Sequence, residues 1–216
     1  MWGVVVAEGS EIVEVTSEAE LRALLGAPIP RALAKERVTL HERDREWLAA
    51  SPFCLVATSG ADGTCDVSPK GDPPGFTYVI DDTTIAIPDR PGNRRVDGFL
   101  NILANPHVGL LYAVPGRNET LRINGRARLV REAPYFDEMI VKGHRPALAL
   151  VVDIEQIFFH CGKSFMRSSL WKPGTWNPDA LPSHATIVKS VQKTEETLEE
   201  LEHYYGAQYA TRLYRS

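Results

Sequence analysis

Three arginines lie close together in residues 88–95, which read Pro-Asp-Arg-Pro-Gly-Asn-Arg-Arg and are called here the arginine turn. Residues 83–87 before it are rich in β-branched side chains and predict a strand, whereas residues 96–103 after it predict a helix. A helix start offers free N–H groups and a partial positive charge, and guanidinium groups match phosphate oxygens. The sequence therefore predicts an anion site at this turn. The alternative is a solvated turn whose arginines form surface ion pairs.

A hydroxyl and an ammonium group stand two residues apart, at Ser68 and Lys70, where another predicted strand ends. If the strands of one barrel end at a common rim, both side chains would meet the arginine turn, and both suit a phosphate or carbonyl oxygen. Pro69 between them lacks a backbone donor, which places this strand at the edge or rim of a sheet. The alternative is an ordinary turn with a surface lysine.

A third polar segment follows the last predicted strand. It contains Lys163, Ser164, Arg167, Trp171 and a second tryptophan, and its serine, proline and glycine content predicts mainly a loop. Cationic and aromatic side chains together suit a flat aromatic ligand that carries charged groups. A loop packed by its own tryptophans explains the same residues equally well.

Composition excludes several classes of protein. With 216 residues, 44% of them hydrophobic, the chain can form one large domain with a sizeable core, and its net charge of −4 argues against nucleic-acid binding. Three widely spaced cysteines fit neither a disulfide framework nor a zinc site, which predicts a reducing, cytoplasmic setting. The N-terminus lacks the basic region of a signal peptide, and no apolar run reaches the ~20 residues of a membrane span. Neither a metal site nor a catalytic residue can be assigned, because no metal-ligand spacing, triad or nucleotide-binding loop is present.

The predicted elements favour a mainly β protein, an antiparallel barrel with flanking helices. Seven strands are predicted at residues 53–59, 64–68, 76–80, 83–87, 107–113, 120–131 and 148–159. Few helices separate them, which argues against a parallel α/β sheet. Gly125 inside the sixth strand predicts a bulge or a close backbone approach. The chain is thus interpreted as a single domain with an N-terminal helical segment (residues 16–51) and a C-terminal helix (residues 183–205).

In this order, the motifs resemble the pyridoxamine-phosphate-oxidase-like flavoproteins, the FMN-binding split β-barrel family. The resemblance extends from about residue 37 to residue 176. It rests on residues 51–58 (SPFCLVAT), 62–63 (DG), 68–72 (SPKGD), 87–95 (IPDRPGNRR), 101–103 (NIL), 105–111 (NPHVGLL) and 121–127 (LRINGRA). Residues 88–103 and 160–171 are similar in particular to one branch, whose members are described only as FMN-dependent proteins.

The resemblance implies a homodimeric, FMN-dependent oxidoreductase with FMN at the subunit interface and a small-molecule substrate. The family's phosphate-binding turn corresponds to Asn93, Arg94 and Arg95, with Asp89 and Arg90 beside them. Its flavin-contacting strand end corresponds to Val67, Ser68 and Lys70, and its polar position at the start of the long strand corresponds to Thr120, near Arg122. The loop that bears Lys163, Ser164, Arg167 and Trp171 would close the site of the second subunit.

Two departures from the true pyridoxamine phosphate oxidase argue against oxidation of vitamin B6. Asp66 stands where that enzyme has an arginine on the flavin strand, and its C-terminal motif of arginine and histidine is missing near residues 214–216. The substrate and the electron donor stay open. Two further hypotheses also stay open: a flavin carrier without turnover, and a split barrel that binds deazaflavin F420 or haem.

Overall fold

The computed structural model describes residues 12–214, and the chain divides into two compact units, residues 1–35 and 36–216. The described part of the first unit contains α1 (Glu18–Leu25) and α2 (Pro30–Leu33). The Ser17 hydroxyl accepts the backbone N–H of Glu20 at 3.2 Å, and Gly26 ends α1 with φ 79°. A side-chain cap at the start and a glycine with a left-handed backbone at the end therefore delimit this short helix.

The second unit contains one antiparallel sheet with helices around it. Its elements are α3 (Glu42–Ala50), β1 (Phe53–Ser59), β2 (Cys65–Gly71), β3 (Tyr78–Val79), β4 (Thr84–Pro88), α4 (Asp97–Ala104), β5 (His107–Ala113), β6 (Thr120–Val130), β7 (Ala149–His160), α5 (Lys163–Ser168), α6 (His184–Val191) and α7 (Leu198–Tyr205). The strand order is β2-β1-β5-β6-β7-β4-β3, and every pair is antiparallel. The predicted split-barrel type is confirmed; the sheet is not closed, and β2 is an edge strand, as Pro69 predicts.

The main core lies on the inner face of the curved sheet. Tyr112, Leu121, Ile123 and Ile157 are fully buried there, on three neighbouring strands. Buried side chains recur at alternate positions along most of β5 and β6, so these strands mainly bury one face, whereas residues 149–152 of β7 are buried on both faces.

Gly125 causes the predicted irregularity in β6. The pairing with β7 shifts register between Asn124 and Gly125. A Cβ atom added at Gly125 would lie 2.1 Å from the carbonyl oxygen of Asp153, closer than any real contact. Glycine therefore permits both the bulge and the close approach of the β7 backbone.

The C-terminal region differs from the prediction, because residues 183–205 form two helices rather than one. α6 ends at Val191, and Thr197 starts α7 with a reciprocal capping box to Glu200. The Lys189 ammonium group donates to the backbone carbonyls of Thr194 and Glu196 and so stabilises the connection between α6 and α7. A local cap thus overrides the continuous apolar spacing that suggested one helix. Residues 163–176, predicted mainly as a loop, contain the short helix α5 and a 3₁₀ turn.

None of the helices within residues 12–214 is both long and apolar enough to cross a membrane.

Candidate functional site

The arginine turn connects β4 to α4 through a strained backbone. Arg94 and Val96 adopt left-handed φ values of 61° and 54°. The side chain of Asn93 accepts the backbone N–H of Arg95 at 3.1 Å, which stabilises this conformation. Val96 provides no side-chain cap for α4. The helix therefore begins with backbone donors that a ligand can use.

Ser68 and Lys70 lie against this turn. The Lys70 ammonium group is 2.9 Å from the Asp89 carboxylate and 4.8 Å from the centre of the Phe99 ring. The Ser68 hydroxyl is 3.7 Å from the position that a Cβ atom would take at Gly98. The structure thus brings the end of β2, the arginine turn and the first turn of α4 together.

Coiling of the sheet makes this meeting possible. Across the strand register, Lys70 stands level with Leu121, at the start of β6. Asp89 follows Pro88, which stands level with Val130, at the end of β6. Because Lys70 and Asp89 nevertheless form an ion pair, the edge strand β2 must curl back toward the end of β4.

Asn101 anchors α4 over the β1–β2 hairpin. Its side-chain amide donates to the Thr58 hydroxyl at 3.1 Å and to the Asp66 carboxylate at 2.8 Å. Gly98 allows the helix start to approach, since a Cβ atom there would already lie 3.4 Å from the Thr58 hydroxyl. Thr58, Gly98 and Asn101 are positioning residues that sequence reasoning missed, although Asn101 lies in a motif that carries the family resemblance.

Arg90 points into the protein rather than toward the turn's outer surface. Its Nε atom is 2.6 Å from the Asp72 carboxylate, and its side chain is 12% exposed while that of Asp72 is 1% exposed. Its terminal nitrogens donate to the carbonyl oxygens of Met139 at 2.7 Å and His144 at 3.3 Å. Three N–H groups of Arg90, a residue that the resemblance implies lies beside the phosphate, therefore already donate to acceptors of the protein.

Arg94 and Arg95 instead project into solvent. Arg95 pairs with Asp97 at 2.8 Å, with 74% of the arginine side chain exposed, and hydrogen bonding to Asp97 raises the pKa of its guanidinium group. Such an exposed pair contributes little to stability. Arg94 has no ion-pair partner within residues 12–214. These two guanidinium groups are the ones that an incoming anion can reach.

Charges alternate around this site. Its four cations are Lys70, Arg90, Arg94 and Arg95, and its four carboxylates are Asp66, Asp72, Asp89 and Asp97. The turn is therefore not a broad positive patch of the kind that attracts nucleic acid. Binding of an anion here would depend on directed hydrogen bonds and on exchange of exposed ion pairs.

Two further predicted residues, Val67 and Thr120, lie on the other face of the sheet. Successive strand side chains alternate, so Val67 points away from the face that carries Ser68 and Lys70. Val67 is 61% exposed, whereas Thr120 is buried where β6 pairs with Ala113 and His160. Within one chain these residues do not meet the arginine turn.

The segment that bears Lys163, Ser164, Arg167 and Trp171, called here the tryptophan loop, packs on the β5–β6 connection. The Trp171 indole donates to the carbonyl oxygen of Arg117 at 2.7 Å, and Phe165 meets its ring edge to face at 5.7 Å. The exposed Lys163, Ser164 and Arg167 lie on α5, which follows the end of β7. The arginine turn adjoins the start of β7, so one chain places the two segments at opposite ends of this strand.

Other reactive groups have structural explanations. Burial raises the pKa of the Cys54 thiol to about 12, so this cysteine stays protonated at neutral pH. His41 caps α3. Across residues 12–214, no cluster of histidine, cysteine, aspartate and glutamate could hold a metal ion.

Fold and site together define a split-barrel protein with a basic turn between a strand and a helix. The model of the pyridoxamine 5'-phosphate oxidase family matches residues 40–161, more than half of the chain. The chain belongs to this family. Comparison with curated proteins returns no match.

Several solved structures resemble the protein at low sequence identity. A Lactobacillus delbrueckii protein provisionally assigned as a pyridoxamine 5'-phosphate oxidase is 23% identical over 57% of this chain and 98% of its own, with a TM-score of 0.45. HupZ of Group A Streptococcus is 20% identical over 56% of this chain and 93% of its own, with a TM-score of 0.45. An F420 reductase is 18% identical over 53% of this chain and 94% of its own, with a TM-score of 0.37.

Proposed function

We propose that this protein binds FMN and acts as an FMN-dependent oxidoreductase on a small-molecule substrate. The observation that carries the proposal is that Ser68 lies beside Gly98 and Lys70 beside Asp89, on either side of the exposed Arg94 and Arg95 and next to the uncapped start of α4. Guanidinium groups, a hydroxyl and helix N–H groups together form a donor set suited to a phosphate ester. Membership of the pyridoxamine 5'-phosphate oxidase family supports a flavin as the molecule that carries it.

The residues present fit such a phosphate group. Arg94 needs to give up no ion pair, and Arg95 would exchange only the exposed carboxylate of Asp97. The Ser68 hydroxyl has no hydrogen-bond partner in the described part of the chain, so it can donate without breaking a bond. Asn93 would act through the backbone, since it already holds the turn open.

The remaining residues would bind and orient the cofactor's ring. FMN, when bound, supplies the electron-transfer chemistry, and the protein supplies binding, orientation and electrostatics. Lys70 is held between Asp89 and the Phe99 ring, and it would place a positive charge beside the ring carbonyls. Asp89 keeps this ammonium group in place. Arg90 would support the turn from behind rather than contact phosphate.

The first test is the absorption spectrum of the purified wild-type protein, followed by titration with FMN. We expect flavin bands and a stoichiometry of about one FMN per protomer, with micromolar or tighter affinity. A haem Soret band, a deazaflavin spectrum or no binding would contradict FMN as the cofactor. Anaerobic addition of a nicotinamide cofactor then separates an oxidoreductase, whose bound flavin is bleached, from a carrier, whose flavin is not.

We further propose that the outer face of the sheet forms a homodimer contact. Phe53, Leu55, Ala57 and Leu111 share this face with Val67, and Phe53 and Val67 are 38% and 61% exposed. Apolar strand positions left uncovered are typical of subunit interfaces. Such a dimer would explain why Thr120 and the tryptophan loop lie away from the arginine turn of their own chain, since the partner's turn would meet them.

Ala57→Glu is expected to convert the dimer into a monomer. Ala57 lies exposed in the middle of this face, and a carboxylate buried there without a partner would cost several kcal/mol, about 4. Light scattering after size-exclusion chromatography gives the mass. Ala61→Glu, in the exposed turn of the same hairpin, is the matched control and should leave the mass unchanged. A wild type that is already monomeric, or an Ala57→Glu variant that stays dimeric, would refute this interface.

A further inference from the structure

Arg90 and Asp72 form the best-buried ion pair of the site, and they join four separate segments. Asp72 directly follows β2, and Arg90 belongs to the arginine turn. The acceptors Met139 and His144 lie in and after the 3₁₀ turn Pro134–Met139. A buried, hydrogen-bonded guanidinium group of this kind fixes geometry more than it adds stability.

Tyr214 covers this pair from the C-terminal segment, residues 209–214. Its hydroxyl donates to the second carboxylate oxygen of Asp72, and the Asp72 carboxylate raises the pKa of the Tyr214 phenol. Its ring stacks on His144 at 5.7 Å between centroids. Arg90 lies 5.8 Å and Lys142 5.4 Å from the ring centre. Tyr214 therefore contacts the Arg90 side chain and two of the residues that hold it, Asp72 and His144, as well as Lys142.

We propose that residues 209–214 are a strap that fixes the arginine turn in its binding conformation, with Tyr214 and Arg90 as positioning residues that act through Asp72. This inference rests on the proposed function, because it concerns the affinity of the same turn for FMN. Asp72 shares its two carboxylate oxygens between the strap and the turn. Loss of the Tyr214 hydrogen bond would leave the Asp72 carboxylate less firmly held, which would loosen its ion pair with Arg90 and, with it, the turn.

Preorganisation is the physical reason why the strap would affect affinity. Arg94 and Val96 adopt left-handed conformations that cost energy and persist only when surrounding contacts impose them. Asn93 contributes one such contact, inside the turn, and Arg90 contributes three, outside it. A turn released from Arg90 would have to be ordered again at each binding event, which lowers affinity.

The test compares Tyr214→Phe with Tyr209→Phe in the full-length protein. Both changes remove one hydroxyl from the same segment, but the Tyr209 hydroxyl makes no hydrogen bond within residues 12–214, so it is the matched control. We expect Tyr214→Phe to weaken FMN binding about tenfold, which corresponds to one hydrogen bond to a charged group. Arg90→Lys keeps the positive charge, but an ammonium group cannot reproduce the three hydrogen bonds of the planar guanidinium group. We therefore expect it to weaken FMN binding more than Tyr214→Phe does.

Hydrogen exchange of the flavin-free protein gives a readout independent of the cofactor. We expect faster exchange in residues 88–97 of Tyr214→Phe, while exchange in β6 and β7 stays as in the wild type. Unchanged exchange in residues 88–97, or equal acceleration in β6 and β7, overturns the strap, because the first shows no coupling and the second shows global destabilisation. If the wild type binds no FMN, the proposed function fails, whereas locally faster exchange would still support the mechanical coupling.

Discussion

Protein in which Arg94 and Arg95 are both replaced by alanine is expected to purify without the yellow colour that we expect of the wild type. Each guanidinium group would make charge-assisted hydrogen bonds to the phosphate of FMN, and such a bond contributes about 1.5–3 kcal/mol. Loss of both corresponds to roughly a 10²- to 10⁴-fold weaker affinity. Neither side chain takes part in packing, so the fold should persist. Titration with FMN, followed by fluorescence quenching, measures the change.

The control for this pair is Arg126→Ala with Arg128→Ala. These two arginines are likewise exposed and close together, but they lie on β6. Arg126 contacts His107, and Arg128 pairs with Asp153. The control variant should keep its flavin, which would show that the effect belongs to the turn and not to net charge. An unchanged flavin spectrum and affinity in the Arg94 and Arg95 variant would contradict the assignment of the phosphate site.

Gly125→Ala is expected to destabilise the fold by about 3 kcal/mol, and to prevent folding if the protein starts with little stability to lose. The added Cβ atom would lie 2.1 Å from the Asp153 carbonyl oxygen and 3.0 Å from a methyl group of Val152. A backbone atom cannot rotate away as a flexible side chain can, so the longest strand pair of the sheet has to separate at its bulge. Urea denaturation followed by circular dichroism gives the change in the free energy of unfolding.

Gly174→Ala is the matched glycine control. A Cβ atom there would meet nothing within 4 Å, and no left-handed backbone angle opposes it. We expect its unfolding midpoint to stay within experimental error of the wild type. A Gly125→Ala variant with the same midpoint as the wild type would show that β6 and β7 are farther apart at this point than the structure has them.

Local patterns predicted five of the seven strands to within one residue, because the information that sets them is local. The strand predicted at residues 64–68 extends to Gly71, and the one predicted at residues 76–80 is only Tyr78–Val79. The prediction for β5, residues 107–113, has the observed bounds, and that for β7 differs by one residue at each end. Alternating apolar side chains and turn residues such as Gly63, with φ 87°, fix these elements without reference to distant contacts. Apolar spacing alone does not predict the break between α6 and α7, because the Thr197 cap competes with that spacing and starts a second helix.

The candidate site shows where local reasoning stops. Arg90, Arg94 and Arg95 are equivalent as sequence, yet Arg90 turns inward because Asp72 is buried beside it. No pattern within residues 88–95 shows that Arg90, and not Arg94 or Arg95, pairs with the buried Asp72. The sequence predicts that Val67 and Ser68 point to opposite faces of the sheet, but it does not predict which of the two faces α4 covers.

Local sequence was sufficient to predict most of the strands, the edge position of β2, the irregularity at Gly125 and a basic turn between a strand and a helix, because each depends on backbone preferences over a few residues. The tertiary structure decided which cations are free to bind. It brought Lys70 to Asp89 by coiling the sheet and withdrew Arg90 into a buried pair beneath Tyr214. These choices depend on contacts between residues far apart in the chain, and such contacts leave no periodic signal in the sequence.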